Sequence, residues 1–355
     1  SHKIPVTRNQ KPEIGGKPMK ITGFEYRTIS IPFIPAIQEH SGMDYPTTLV
    51  WVHTDEGLTG LGESNSLNND ITDQADQISE RYVGKNLWEI DLASESFVFQ
   101  CAFYDLAGQA LEVPAHKLIG EKYRDSVELA YWSPPMPAEA TVAEAERAAN
   151  MGFRVHKLKA RKANIVETAR LIKEACGPDF QIRVDPNTEF GDLDTGLRLA
   201  EELLPYNIEV YEDPIRFENL SWYRQMREKV EAPVARHLGA PPGILENILA
   251  GAVDAVNMGG NVAGLRKSAA VAEAADLPIW VQIFAFGSCV ASTFAAHIAC
   301  TLPNCTMPID ELPHIRVDDL SGGSMDLSNG AIHLSDAPGL GISLDMDAVE
   351  RYRIR

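Results

Sequence analysis

VHKLKARKANIVETARLIKEACGPDFQIRVDPNTEFGDLDTGLRLAEELLPYNIEVYEDPI, residues 155–215, holds three short apolar runs separated by two amphipathic segments. The runs VHKLKA, QIRVDPN and IEVYEDPI have strand length and end near proline or asparagine. NIVETARLIKEACG and DTGLRLAEELLP between them carry apolar residues at helical spacing. Strand, helix, strand in this order predicts parallel strands joined by right-handed crossovers. The rhythm extends both ways, with further runs VELAYW (127–132), APVARHL (232–238), VDAVNM (253–258) and PIWVQIF (278–284). TVAEAERAANMG (141–152) and AGLRKSAAVAEAAD (263–276) add helices between them. No Gly-rich phosphate loop follows the first strand, and seven regular units exceed what a Rossmann sheet needs, so the expected fold is a TIM-type (β/α)7–8 barrel.

The flanks read differently. KITGFEYRTISIPF (20–33) and TTLVWVHTDEGLTGLGES (47–64) are β-rich, with Asp55-Glu56-Gly57 placed as a hairpin turn, and helical periodicity follows to about Gly120. DLSNGAIHLSDAPGLGISLDMDAVERY (326–352) returns to hairpin and turn chemistry. The expected organisation is an α+β capping domain over residues 1–126, the barrel over 127–310, and a C-terminal segment, 311–355, that rejoins the cap.

At 355 residues there is room for a barrel of about 250 and a smaller domain. A formal charge of -18 argues against nucleic acid or an anionic membrane surface as partner, because both need a basic face. No apolar run approaches the ~18 residues of a membrane span, and Ser1 to Lys20 lack the apolar core of a signal peptide. A cytoplasmic location is the default expectation. Cys101, Cys176, Cys289, Cys300 and Cys305 are scattered, odd in number and without CxxC spacing, so reduced structural thiols are expected.

Polar residues recur at the strand ends. Lys159, Asp185, Glu212, His237 and Gln282 follow apolar runs at intervals of 26, 27, 25 and 45 residues, and Asn257 to Gly259 stand where the last interval skips a member. One βα unit has about this period, so these side chains should gather at the C-terminal mouth, where barrel enzymes keep their chemistry. Lys157 and Lys159, two apart, point the same way. Neighbouring ammonium groups repel, which depresses a lysine pKa towards that of a working base, although a surface pair at a frayed strand end is the plain alternative. Asp185 and Glu212 would be costly to bury unpaired. A divalent cation such as Mg²⁺ removes that cost, as would a lysine across the barrel, or Arg183 for Asp185. His237 reads as a third metal ligand, a catalytic base or a satisfied core histidine; as a ligand it widens the choice to Mn²⁺ or Zn²⁺. Asn187 is a substrate contact or a turn residue. The segment 33–45, FIPAIQEHSGMDY, is the candidate specificity loop, with His40 and Tyr45 as substrate contacts.

FYDLAGQALEVPAHKLIGEKYR, Lys157-x-Lys159, VDPN, YEDP and APGLGISLDMDA stand in an order that resembles the enolase superfamily, in its mandelate racemase and muconate-lactonizing branch, over nearly the whole chain. The resemblance implies a Lys or His base working beside one or two Mg²⁺ ions, the pairing that superfamily uses. It further implies Lys159 as the base that removes the proton alpha to a substrate carboxylate, Lys157 as its pKa partner, and Asp185 and Glu212 as metal ligands. The sequence departs from the pattern at His237, where an acidic ligand is usual, and at Gln282 and Ala255, where the racemase His-Asp dyad would be. The expected reaction is therefore dehydration of an acid sugar or hydroxy acid, with His237, Gln282, Asp310 or Glu311 as candidates to help the leaving group. Racemisation or epimerisation, with Lys157 or His237 on the opposite face, is the alternative, and a degenerate barrel that keeps only the fold is the third. A small carboxylate substrate and homo-oligomerisation complete the expectations.

Overall fold

The computed structural model describes residues 18–42, 44–65, 70–284 and 286–355. Most of the N-terminal stretch read for targeting signals, and Met43 of the 33–45 loop, lie outside the described residues. β1 (Ile21–Ile29), β2 (Thr47–Thr54) and β3 (Thr59–Asn65) form an antiparallel sheet in that order. The predicted turn joins β2 to β3: the Gly57 N–H donates to Thr54 O at 3.2 Å, and its φ of 78° is one that glycine adopts without strain. Helix Phe97–Ala110 lies against this sheet so closely that a Cβ at Gly60 would sit 2.2 Å from the Ala102 carbonyl oxygen. Ile21, Val50, Val52, Phe99, Phe103 and Leu106 fill the space between as a separate core.

β4 (Ser126–Glu128) opens the second half, followed by β5 (Tyr131–Ser133), β6 (Val155–Leu158), β7 (Gln181–Val184), β8 (Ile208–Glu212), β9 (Val234–His237), β10 (Ala255–Met258) and β11 (Ile279–Val281). β5 to β11 make one parallel sheet in sequence order. Every predicted run from VHKLKA onward contains one of its strands, and helices Ala138–Asn150, Ile165–Cys176, Leu193–Leu203 and Val262–Glu273 fall in the predicted amphipathic segments. VELAYW, read as one strand, is divided between two sheets. Its first half, β4, pairs antiparallel with β13 (Ala331–His333), which pairs with β12 (Asp326–Ser328). The break is physical: the Leu129 N–H turns to Gly330 O, and that of Ala130 to Ile309 O.

The parallel sheet curls. Residues 307–310 form no regular strand, yet Asp310 N donates to Val281 O at 3.0 Å beside β11, and Ile309 bridges the junction of β4 and β5, its N donating to Glu128 O at 2.8 Å and its O accepting from Ala130 N at 3.0 Å. The C-terminal tail reaches β1, where Ile354 N donates to Thr28 O and Ser30 N to Tyr352 O, both at 2.9 Å. Buried Glu63 of β3 accepts from Ser288 N, Ser288 Oγ and Ala291 N at the start of helix Cys289–Ala299, tying the antiparallel sheet to the parallel half. All five cysteines are free. Among the described residues no helix is long and apolar enough to cross a membrane.

Candidate active site at the mouth of the parallel sheet

The register of the sheet sets the polar side chains at one end. Lys157 pairs with Arg183 across β6 and β7, Glu212 with Ala235 across β8 and β9, and His237 with Asn257 across β9 and β10. Lys159 and Asp185 follow their strands by one residue, and Gln282 follows β11. The chain turns sharply there: Asn187 and Asp213 hold φ of 47° and 45°, left-handed values that side-chain-bearing residues reach only at a cost.

Lys157 is the hub. Its ammonium is buried and lies 2.6 Å from Asp310 Oδ2, 2.7 Å from Glu212 Oε2 and 3.3 Å from Asp185 Oδ2. Burial alone would lower its pKa, but Asp310, Glu212 and Asp185 outweigh burial and hold it well above its ordinary value. This reverses the expectation that repulsion between neighbouring lysines dominates; the carboxylates around Lys157 decide its charge. Lys159 lies 2.5 Å from Asp185 Oδ2, and with 23% of its side chain exposed it is the solvent-accessible cation of the pair.

The carboxylates differ in how well they are compensated. Asp185 is penalised by burial, yet Lys157, Lys159 and the Asn187 N–H at 3.1 Å lower its pKa. Asp310 is likewise lowered despite burial. It receives Lys157, Arg183 Nη1 at 3.0 Å, Trp280 Nε1 at 2.9 Å and Asn257 Nδ2 at 3.4 Å. Glu212 has less. Burial first, then Asp185 and Asp310, raise it to about 7 against the opposing pull of Lys157. Its Oε1 accepts from Asn257 Nδ2 at 2.7 Å, while buried Oε2, though at ion-pair distance from Lys157, has no hydrogen-bond partner.

Arg183 does not serve Asp185. It forks onto Glu209 at 2.8 and 3.0 Å, reaches Asp310, and lies 4.3 Å from the Trp280 ring centre. Sequence reasoning passed over Arg183, Glu209 and Trp280 as site residues. The signal was present in a charged arginine at the inward position two before Asp185. Asn257, noted only as occupying a skipped interval, bridges Glu212, Gln282 Oε1 and Asp310.

Asp213, the neighbour of Glu212, is not among the predicted positions; it is buried, turns to the His237 N–H at 3.3 Å, and is raised to about 6 by burial and by Asp185. Glu311 is fully buried, accepts from Ile283 N and Phe284 N at 2.9 and 3.1 Å, and is raised to about 8 by burial. His237 and Gln282 line a cavity of about 290 Å³ with Tyr45, Pro46, Thr47, Ile283, Phe284 and Phe286. Loss of hydration, then Lys157, holds the His237 pKa below its ordinary value. His40 sits in helix Pro35–Ser41 and is not among the residues lining that cavity. Among the described residues, no three His, Cys, Asp or Glu side chains are grouped as a metal shell. The donors that converge are the carboxylates of Asp185 and Glu212. Glu212 Oε2, which has the Lys157 ammonium 2.7 Å away but no hydrogen bond, and the Asp185 carboxylate on the same ammonium fit a divalent cation, which typically takes one or two carboxylates together with water and substrate oxygens.

Residues 140–348 match the family model for the enolase C-terminal domain-like fold. A D-xylonate dehydratase from Haloferax volcanii is 26% identical over 88% of this chain and 86% of its own length. Muconate cycloisomerase 1 from Rhodococcus opacus is 26% identical over 90% of this chain and 95% of its own. Among solved structures, a dipeptide epimerase from Enterococcus faecalis V583, complexed with Mg and the dipeptide L-Leu-L-Tyr, superposes with a TM-score of 0.78. It is 21% identical and covers 91% of this chain and 99% of that one.

Proposed function

Because the chain belongs to the enolase C-terminal domain-like family, on the mandelate racemase and muconate-lactonizing branch of the enolase superfamily, we propose that it removes the proton alpha to the carboxylate of a small acid, with Lys159 as the base. The observation that carries this reading is the division of labour between the two lysines. Lys157 is locked by three carboxylates as a fixed cation, whereas Lys159 has one carboxylate partner and is partly exposed. Residues 307–310 occupy the eighth position of a closed barrel in this reading, and the domain boundaries fall near residues 126 and 310.

Asp185 and Glu212 would hold the divalent ion, with Mg²⁺ first and Mn²⁺ next. A cation held there would supply positive charge beside the substrate carboxylate. The chain's own residues do the rest. Lys157, fixed in the floor, gives a permanent positive field towards the carboxylate, and Asn257 orients Glu212. Lys159, once it has given its proton to solvent, accepts the alpha proton at Nζ.

Loss of a beta-hydroxyl from a hydroxy acid or acid sugar then makes the enzyme a dehydratase. Of the candidate acids, Asp310 is saturated by four donors, and Glu311 spends Oε1 on two backbone N–H groups in a fully buried position. Gln282 shares the cavity wall but, as an amide, has no acidic proton to give, so His237 beside it is the group left to assist the leaving hydroxyl. The same placement across the mouth from Lys159 makes it the second base if the reaction is instead a racemisation or epimerisation. The test is deuterium incorporation in D₂O with Mg²⁺ from D-xylonate and from alkyl- and aryl-substituted beta-hydroxy acids, read at Cα of the recovered acid and, where a 2,3-dihydroxy acid loses water, at Cβ of the keto acid that the enol becomes. Uptake abolished by Lys159→Ala supports the reading, with water loss marking a lyase and inversion without it an isomerase. Undiminished uptake in Lys159→Ala refutes it.

A further inference from the structure

The wall above the charged floor is aromatic. Tyr45 stacks on Phe286 with ring centres 4.2 Å apart and planes 10° from parallel. Phe33 touches both at 5.8 and 6.0 Å, and Trp132 of β5 meets Phe286 edge-on at 5.5 Å. These rings come from three separate places in the chain, and Arg316 binds two of them together. Its buried guanidinium donates to Ile31 O at 2.6 Å, Tyr45 O at 2.9 Å and Phe286 O at 2.6 Å, and lies 5.0 Å from the Phe33 ring centre. A guanidinium spent on three carbonyls fixes the two loops relative to each other, so the aromatic wall is built before any substrate arrives.

Among the described residues the polar groups on the cavity wall are few. His237, Gln282, Thr47 and the Tyr45 hydroxyl stand against Pro46, Ile283, Phe284, Phe286 and the Tyr45 ring, and Gln282 Oε1 is already used by Asn257. A polyhydroxylated chain placed there would leave hydroxyls without partners, whereas a ring or branched hydrocarbon would bury apolar surface against Phe284 and Phe286.

We propose that, of the hydroxy acids and acid sugars the proposed function allows, the substrate is a hydroxy acid that carries an aryl or branched hydrocarbon group beyond its carboxylate, seated against Tyr45, Phe284 and Phe286. This rests on the proposed function for the placement of the carboxylate, but it is tested by binding without turnover. The probes are 3-phenylpropanoate and D-xylonate, titrated by calorimetry in the presence of Mg²⁺ against the wild type, Phe286→Ser and Phe286→Leu, with thermal unfolding to show that each variant folds. The expected result is at least tenfold tighter binding of 3-phenylpropanoate, a preference reduced to about threefold or less in Phe286→Ser and largely kept in Phe286→Leu. Equal or tighter binding of D-xylonate, no measurable binding of either acid, or a preference indifferent to Phe286→Ser overturns the proposal. The deuterium-uptake experiment fails separately, since it reads proton transfer to Lys159 on any acid, whichever group lies beyond the carboxylate.

Discussion

Replacing Lys157 by methionine tests whether this lysine is the internal counter-ion of the site. Its three carboxylate distances, 2.6, 2.7 and 3.3 Å, each correspond to roughly 5–6 kcal/mol of attraction at an effective dielectric of about 20. Most of that sum offsets the cost of burying four charged groups, so the net loss follows from what is left unpaired. Asp310 keeps Arg183, Trp280 and Asn257, and Asp185 keeps Lys159 and the Asn187 N–H. Glu212 keeps only Asn257. Glu212, raised to about 7 even beside Lys157, would take up a proton in the variant, so the loss grows by about 1.4 kcal/mol per pH unit above that point and is expected to reach about 2–3 kcal/mol for Lys157→Met in urea unfolding at pH 9 with a chelator present. Lys157→Met combined with Glu212→Gln should regain about 2 kcal/mol or more, because the orphaned charge is gone. A loss under about 1 kcal/mol, or a double variant less stable than the single one, would refute the idea that Lys157 neutralises Glu212.

Buried groups away from the reacting centre carry expectations of their own. His314 has both ring nitrogens buried without partners and packs 4.6 and 4.8 Å from the Phe153 and Tyr131 ring centres, so His314→Phe should stabilise by about 1–3 kcal/mol. Burial lowers its folded pKa to about 3, so the unfolded chain binds the extra proton below about 6.5, and the variant's advantage should widen by up to about 1.4 kcal/mol per unit as pH falls from 6.5 towards 4; a constant difference in chemical-denaturation titrations would count against it. Glu63→Ala removes the acceptor of three donors at the start of helix Cys289–Ala299 and should cost about 2–4 kcal/mol, with Glu63→Gln recovering part of it; an unchanged urea midpoint would contradict the role. Glu311, raised to about 8, favours the folded state while protonated, and that contribution fades as pH rises from the unfolded carboxylate range through 8. Glu311→Gln should therefore gain on the wild type steadily between pH 5 and 8, and parallel stability curves would show that Glu311 does not titrate there.

The parts of the fold that periodicity governs were legible in the sequence. Short apolar runs alternating with amphipathic segments announced β5 to β11, and the residue after each run announced the mouth. What stayed hidden depends on partners far along the chain. VELAYW looks continuous, but the break at Leu129 and Ala130 is imposed by Gly330 and Ile309, roughly 180 to 200 residues away. Arg183 reads as a strand residue until Glu209 and Asp310 are placed beside it. Arg316, in a segment with no periodic signal, becomes a clamp only because Ile31, Tyr45 and Phe286 converge on it. The Lys-x-Lys motif showed that two cations share a face. It could not show that one of them meets three carboxylates and the other only Asp185, the asymmetry on which the proposed roles rest.

That asymmetry has a chemical consequence. A base must exchange its proton during each turnover, and a group held by several buried carboxylates cannot do so without leaving them uncompensated. A fixed positive charge has the opposite requirement: it works best where nothing can move it. The floor of this site separates the two. Arg183 and Trp280 anchor Asp310, Asp310 anchors Lys157, and Lys157 answers Glu212, so the lower layer is rigid and its charge is constant. Lys159, one residue beyond the strand, has a single carboxylate and access to solvent, and that contrast is the reason the proposed base is placed at Lys159 and not at Lys157.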